Sequence, residues 1–286
     1  KLSYTLKLFF YVRNALKIIG AKNVISFGDW FNAFSLFAAI GLGRNVIITN
    51  RMGPSSKLST AHEILNRLTY KWANKLVVQT DRAKEIQSKR YGIRRVEVIP
   101  NGTDLPKLKE TSRGKNILVV EGQWGEKGQL DLLKAYVALN DRTWSIHLVG
   151  EGPMRKVCEE FVHQFGLREN VIFYGHQTRL TDLYQNAGIF VLLSYYEGFP
   201  NALLEAMANG CCTIASDCIA GPSELITDGL NGNLYPPGEI NILTAKLKTL
   251  IFDCALRDEQ GAAARRRAQD FSKINQVRAF DQLLVS

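Results

Sequence analysis

The sequence predicts an α/β protein built from two Rossmann-like, doubly wound domains, and three observations carry that expectation. Short β-branched runs alternate with longer amphipathic stretches, the pattern of strands feeding crossover helices in a parallel sheet. The alternation stops at residues 105–114, a polar stretch without strong period, and then restarts. With 286 residues the chain is also too long for one hydrophobic core to be the default.

A helix over residues 2–19 opens the chain. Asn23 to Phe27 reads as a strand, followed by an apolar helix over about 30–40 and a second strand at 45–49. A loop with Gly53, Pro54, Ser55 and Ser56 leads to a helix over 59–73. The next strand is 75–79, and Asp81 is placed to cap a helix running to Tyr91. A strand at 96–99 closes on Pro100, Asn101 and Gly102. Beyond the linker come strands at 116–120, 144–149, 170–173, 188–193 and 211–215, with helices at 128–139, 153–165, 180–186, 201–209 and about 221–227. A last helix covers 272–284. The domains implied are 1–108, 109–271 and a C-terminal helix, 272–286, that crosses back to the first. Ligands of such sheets bind beyond the carboxyl ends of the strands, so a cleft between the domains is the expected site.

Apolar residues make up 46% of the chain and charged ones 22%, with no low-complexity tract, which argues against a disordered protein. No apolar run is long enough to span a bilayer, and Lys7, Arg13 and Lys17 interrupt the start in a way that does not suit a secretory signal. The five cysteines, Cys158, Cys211, Cys212, Cys218 and Cys254, have no metal-ligand spacing. They read as thiols of a reducing cytoplasm, with Cys211 and Cys212 in an apolar strand. The net charge of +9 is uneven: residues 1–110 hold 19 Lys and Arg against 7 Asp and Glu, and the remainder 17 against 20. A basic first half invites an anionic partner, either a phosphate-bearing substrate or an acidic membrane surface. No nucleic-acid motif accompanies the charge, so nucleic acid is not expected.

The most informative segment runs from Ser194 to Gly210. An apolar strand ends, Glu197 and Gly198 make a turn, and Pro200 stands near the first turn of a helix, where its missing N–H costs little. The free amides of that helix, around Asn201, Ala202 and Leu203, form a seat for a phosphate. Glu205 lies one turn in. Carboxylates at 197 and 205 can take two different sets of sugar hydroxyls on either side of a diphosphate. Taken singly, each carboxylate would read as an ordinary helix-dipole or solvated residue; the surrounding Gly198, Pro200 and Gly210 favour the site.

Glu197 through Gly210, followed by Ala220 through Gly238, closely resembles the donor domain of family-four retaining glycosyltransferases, which have the two-Rossmann GT-B fold. The resemblance extends through Val149 to Pro153, Val171 to Gly175, Glu126-Lys127-Gly128 and Ile99 to Gly102, and covers about residues 75–268. It implies that Glu197 contacts the transferred sugar and Glu205 the ribose hydroxyls, with Phe199 and the 201–203 helix start lining the donor. The loop from Val120 to Gly128 matches one in which an Arg and a Lys neutralise the diphosphate. Lys127 fits, and Gln123 stands at the Arg position beside Gly122. An amide donates a hydrogen bond without offsetting charge, so leaving-group stabilisation leans on Lys127 and the helix terminus.

The resemblance further implies no catalytic metal and no cofactor, with the nucleotide sugar as substrate and the departing phosphate taking the acceptor's proton. The donor is expected to be a UDP-linked rather than a GDP-linked hexose or N-acetylhexosamine. Relatives carry a histidine in a loop that here reads Thr49-Asn50-Arg51-Met52-Gly53-Pro54, leaving Arg51 as the candidate for a phosphate or acceptor. His62, His147 and His176 receive no role. Ser26 to Asp29 and Asn50-Arg51 resemble transferases that build lipid-linked or surface polysaccharides, which suggests a saccharide or polyprenyl-diphosphate-linked acceptor at the inner membrane face. Family members begin with a strand and glycine-rich loop that have no counterpart here, so the first domain is expected to be incomplete. A nucleotide-sugar epimerase and a catalytically weak nucleotide-binding accessory protein are the alternatives.

Overall fold

A computed structural model of the chain describes residues 2–56, 58–109 and 112–285. Glu110 and Thr111 of the expected linker lie outside the described residues. The chain divides into two compact units, Lys1–Pro100 with Val277–Ser286, and Asn101–Gln276. The boundary therefore falls at 100/101 rather than 108/109. Thr103 explains this: it bridges Ser272 in parallel, its N–H donates to Phe271 O at 2.9 Å, and its carbonyl accepts from Lys273 N at 3.1 Å. Those bonds tie residues 101–104 to the second unit.

In the first unit the elements are α1 (Leu2–Ile19), β1 (Asn23–Phe27), α2 (Asn32–Ala39), β2 (Asn45–Thr49), α3 (Thr60–Thr69), β3 (Lys75–Val78), α4 (Asp81–Tyr91) and β4 (Val96–Val98). The predicted 59–73 helix ends early, at Thr69, and continues as a 3-10 turn, Tyr70–Trp72. Thr80, not Asp81, caps α4, its Oγ1 accepting from Ala83 N at 3.0 Å.

All four strands are parallel, in the order β1-β2-β3-β4. Right-handed crossovers in one direction put the intervening helices on one face. Alternate strand residues follow suit. Val46, Ile48, Leu76 and Val78 pack with Leu36, Ala39, Ala83 and Tyr91 of α2 and α4. Ile47 and Val77 point to the other face, which the end of α12 (Lys273–Val285) covers through Leu283, Phe280 and Leu284.

The second unit holds β5 (Asn116–Val120), α5 (Gln129–Leu139), β6 (Ser145–Val149), α6 (Arg155–Gln164), β7 (Val171–Gly175), α7 (Thr181–Asn186), β8 (Ile189–Leu192), α8 (Asn201–Ala208), β9 (Cys212–Ser216), α9 (Pro222–Leu225), β10 (Asn233–Tyr235), α10 (Ile240–Phe252) and α11 (Cys254–Ala268). The predicted 221–227 helix is a single turn, and β10, α10 and α11 are absent from the sequence-based series. The sheet is parallel throughout, ordered β10-β9-β8-β5-β6-β7. The chain adds strands outward on one side of β5, then returns to add β8 on the other. That reversal opens a crevice at the carboxyl ends of β5 and β8.

One face of this sheet packs Ile117, Val119, Ile146 and Val191 against α5, α6 and α10, and the other packs Leu118, Phe190 and Leu192 against α7, α8 and α11. A core of this kind, with Ile117, Leu118 and Phe190 fully buried, fixes the two strand ends rigidly.

Candidate functional site

Two loops leave the crevice, one after β5 and one after β8. The first turns through the 3-10 segment Gly125–Lys127 into α5. Gly128 permits the turn: its φ is +67°, and a Cβ there would meet Leu193 O at 2.6 Å, so only glycine lets the two loops close on each other. Tyr195 N donates to Glu126 O at 2.8 Å and locks them together.

This contact gathers four polar side chains. Lys127 Nζ donates to Glu197 Oε1 at 2.5 Å and to Ser194 Oγ at 3.0 Å. Ser194 Oγ lies 2.7 Å from Glu197 Oε1 and 2.9 Å from Glu121 Oε1. The Ser194 backbone is fixed in turn by Ser216 Oγ, which donates to its carbonyl at 2.5 Å. Burial opposes the charge on Lys127, but the Glu197 and Glu121 carboxylates outweigh it and hold the ammonium above its usual pKa. Burial pushes Glu121 up to about 8, with Lys127 pulling it down and Glu197 adding to the rise.

The sequence singled out Lys127 and Glu197, and the structure brings them into contact. It missed Glu121 and Ser194. Both are the first polar residues at or near the end of an apolar strand, the one signal that could have found them.

The second carboxylate, Glu205, faces outward from α8. Its Oε2 accepts from Tyr184 Oη at 3.0 Å, and the residue borders a cavity of about 330 Å³ with Thr178, Leu180, Thr181, Asn209 and Lys273. At the start of α8, Asn201 N donates to Phe199 O and Leu204 N to Pro200 O. The amides of Ala202 and Leu203 have no acceptor among the described residues. The side chains of Phe199 and Leu203 are buried in the core, so only their backbones face the crevice. Gly198 is half-buried before them, and Asn201 Oδ1 accepts from Asn101 Nδ2 at 2.8 Å.

Gln123 departs from its expected part. It is 1% exposed, and its Nε2, expected to donate to a diphosphate, donates to Gly150 O at 2.9 Å. Gly150 and Gly152 allow this packing, since a Cβ on either would lie within 2.2 Å of Glu121 O or Gln123 O. Gly122 accepts from Gln129 Nε2 at 3.1 Å, holding the loop to α5.

In the first unit, Arg51 follows β2 and stacks over Phe27 and Phe280, 5.1 and 5.9 Å from the ring centroids. Asp29 Oδ2 accepts from the amides of Arg51 and Met52 at 2.9 and 3.3 Å. Burial raises the Asp29 pKa against those two bonds, and burial lowers that of Arg51 against the Asp29 charge. His62 Nδ1 is hydrogen-bonded to Ser59 Oγ at 2.7 Å and its ring packs edge-on to Trp30, and His147 sits beside Tyr174. Among the described residues no group of three His, Cys, Asp or Glu is placed to hold a metal ion, and no helix is long and apolar enough to cross a membrane. All five cysteines are free, four of them buried.

A doubly wound sheet with a charged cluster at its reversal point defines a Rossmann-like α/β domain with a candidate site between β5 and β8. Residues 103–267, more than half of the chain, match the model of the glycosyl transferases group 1 family, and the chain belongs to that family. It is 37% identical over 131 residues to the lipopolysaccharide 1,6-galactosyltransferase of Salmonella typhimurium, an alignment covering 44% of this chain and 36% of that protein. The chain thus aligns with only about a third of that relative's length.

A Campylobacter jejuni α-1,4-N-acetyl-D-galactosaminyltransferase, named for a diNAcBac-PP-undecaprenol-linked substrate, is 27% identical over 278 residues, 95% of this chain and 76% of that one. The solved structure of Anabaena HepE in complex with UDP superposes with a TM-score of 0.90 at 19% identity, covering 98% of this chain and 82% of that one. The apo lipopolysaccharide outer core galactosyltransferase WaaB gives 0.79 at 25% identity, covering 98% and 80%. The fold is GT-B, two Rossmann-like domains.

Proposed function

We propose that the chain is a retaining glycosyltransferase that moves a hexose or N-acetylhexosamine from a UDP-linked donor to a saccharide or polyprenyl-diphosphate-linked acceptor. The observation that carries this reading is the Lys127–Glu197 contact at the sheet reversal, with Glu197 on the loop that leads into the open amides of Ala202 and Leu203 at the start of α8. A diphosphate there meets one ammonium and two N–H groups, which together offset the charge that grows as it leaves. Glu197 addresses the sugar. Glu205 takes the ribose hydroxyls in the cavity bounded by Thr178, Leu180 and Thr181. The bond from the anomeric carbon to the diphosphate breaks, the acceptor oxygen bonds to the same face, and its proton passes to the departing phosphate.

The UDP complex of HepE and the undecaprenol-linked substrate named for the Campylobacter relative favour this donor and acceptor class. The basic first unit, with Phe10, Tyr11, Ile18 and Ile19 exposed on α1, suits an anionic membrane surface where such an acceptor resides. A thermal-shift screen with UDP, GDP and their sugars tests the donor site. A ligand at 100 times its dissociation constant stabilises by ~2.7 kcal/mol. Stabilisation by UDP compounds is expected, and no shift with any nucleotide refutes the assignment.

A further inference from the structure

The Ser194 hydroxyl lies among three charged-type groups and satisfies them only if one carboxyl brings its own proton. A hydroxyl has one hydrogen and two lone pairs. Lys127 Nζ donates to one lone pair at 3.0 Å, while Glu121 Oε1 and Glu197 Oε1 lie 2.9 and 2.7 Å away. Two ionised carboxylates would compete for the single hydrogen, and the loser would face a bare oxygen. Glu197 has the ammonium at 2.5 Å. Glu121 is only 9% exposed, and its Oε2 is buried with no partner, a poor place for a negative charge. The arrangement closes without conflict when Glu121 donates its proton to Ser194 and Ser194 donates to Glu197.

We propose that Glu121 is held as a neutral carboxylic acid at the end of β5, positions Lys127 and Glu197 through Ser194, and weakens donor binding when it ionises. The inference rests on the reading of this cluster as the donor site. It concerns a residue that neither the family resemblance nor the sequence pattern had marked. With Glu121 neutral, the Lys127–Glu197 pair leaves the cluster uncharged toward an incoming diphosphate. With Glu121 ionised, the cluster carries one net negative charge and repels it.

The electrostatics of the neighbourhood agree. Burial raises Glu121 to about 8, with Glu197 adding to the rise, against Lys127, Ser194 and the Leu193 amide. Tyr184 on α7 and Tyr235 on β10 interact with Glu121, and Cys218 after β9 interacts with its neighbours Glu197 and Lys127. Burial pushes all three upward, Cys218 to about 12, so they stay neutral near pH 8. Lys127 is raised and stays charged.

The test is UDP affinity by calorimetry on the full chain at about pH 7 and pH 9, for the parent and for Glu121→Gln, whose amide can still donate to Ser194. Infrared titration of the parent protein runs beside it. The parent is expected to lose about tenfold in affinity between the two pH values, one unit charge of repulsion in a partly screened site, while Glu121→Gln loses less than about threefold. The parent is also expected to show a protonated-carboxyl C=O band that fades through the same range. Equal pH dependence in both proteins, or no such band, overturns the inference and leaves the donor site standing. Absence of UDP binding at any pH overturns the donor-site reading and the coupling with it, and the band then decides the protonation of Glu121 without any ligand.

Discussion

Replacing Lys127 by Met separates two contributions that the structure superimposes. The side chains of Lys127 and Glu197 are 21% and 14% exposed, so this is not a solvated surface pair worth a fraction of a kcal/mol. Breaking a buried pair from one side costs ~3–5 kcal/mol, because the other charge is left uncompensated. Here residual solvent and the Ser194 bond at 2.7 Å soften that to about 2–3 kcal/mol. Urea unfolding of Lys127→Met should show this loss. The double variant Lys127→Met with Glu197→Gln removes both charges and should recover most of it, since a neutral isosteric pair needs no counter-charge. UDP affinity should behave differently. If the ammonium meets the diphosphate, affinity falls about tenfold or more in the single variant and stays low in the double variant, because the charge-assisted bond is missing in both. A double variant that regains both stability and UDP affinity would refute the reasoning, since Lys127 would then only be holding Glu197 in place.

Glu205→Ala should weaken UDP binding about tenfold, the loss of charge-assisted bonds worth ~1.5–3 kcal/mol each, while the fold survives; calorimetry on a folded variant with unchanged affinity excludes the ribose role. Glu121 makes stability depend on pH in an unusual direction: the folded state keeps a proton from about 4.5 up to about 8 that the unfolded chain releases. Stability from this group is therefore complete below about pH 4.5 and lost as pH rises toward 8, by up to ~1.4 kcal/mol per pH unit, and chemical denaturation of Glu121→Gln should lack that slope. The basic first unit should sediment with phosphatidylglycerol vesicles at low salt and be released at high salt, at roughly 1 kcal/mol per basic residue near the surface. Equal binding to neutral vesicles would instead assign the attraction to the apolar residues of α1.

The strands and helices that the sequence disclosed are those whose burial has a simple period. β2 is buried from Val46 to Thr49 and β3 from Leu76 to Val78, and α8 buries Leu203, Leu204, Ala206, Met207 and Ala208 on either side of the half-buried Glu205. What escaped has a physical cause in two cases out of three. β10 is three residues long, enclosed by Gly232 and Pro236, too short for alternation to register. α11 buries Gln260, Gly261, Ala264 and Ala268, a seam chosen for closeness rather than hydrophobicity: a Cβ on Gly261 would lie 2.4 Å from Gly210 O. Its apolar stripe is nearly invisible. α10 has no such excuse, because Leu243, Leu247, Leu250 and Ile251 repeat at helical spacing and all are buried.

The site was legible in a different way, through residues that break the local pattern. Glu197 and Lys127 stood out because glycines flank them where a helix or strand would not place them. Gln123 stood out too, yet its amide answers to the Gly150 carbonyl, a partner 27 residues distant that no local spacing reveals. Glu121 shows the converse. In sequence it is an acidic residue after four apolar ones, unremarkable beside 26 others of its charge. Its significance comes from strand order. Only because β8 returns to the far side of β5 does Ser194 arrive within 2.9 Å of a carboxyl that chain distance puts 73 residues away. Periodicity reports which face of an element is buried. It does not report which two strand ends become neighbours, and in a doubly wound sheet that adjacency decides which carboxyl loses its solvent and keeps its proton.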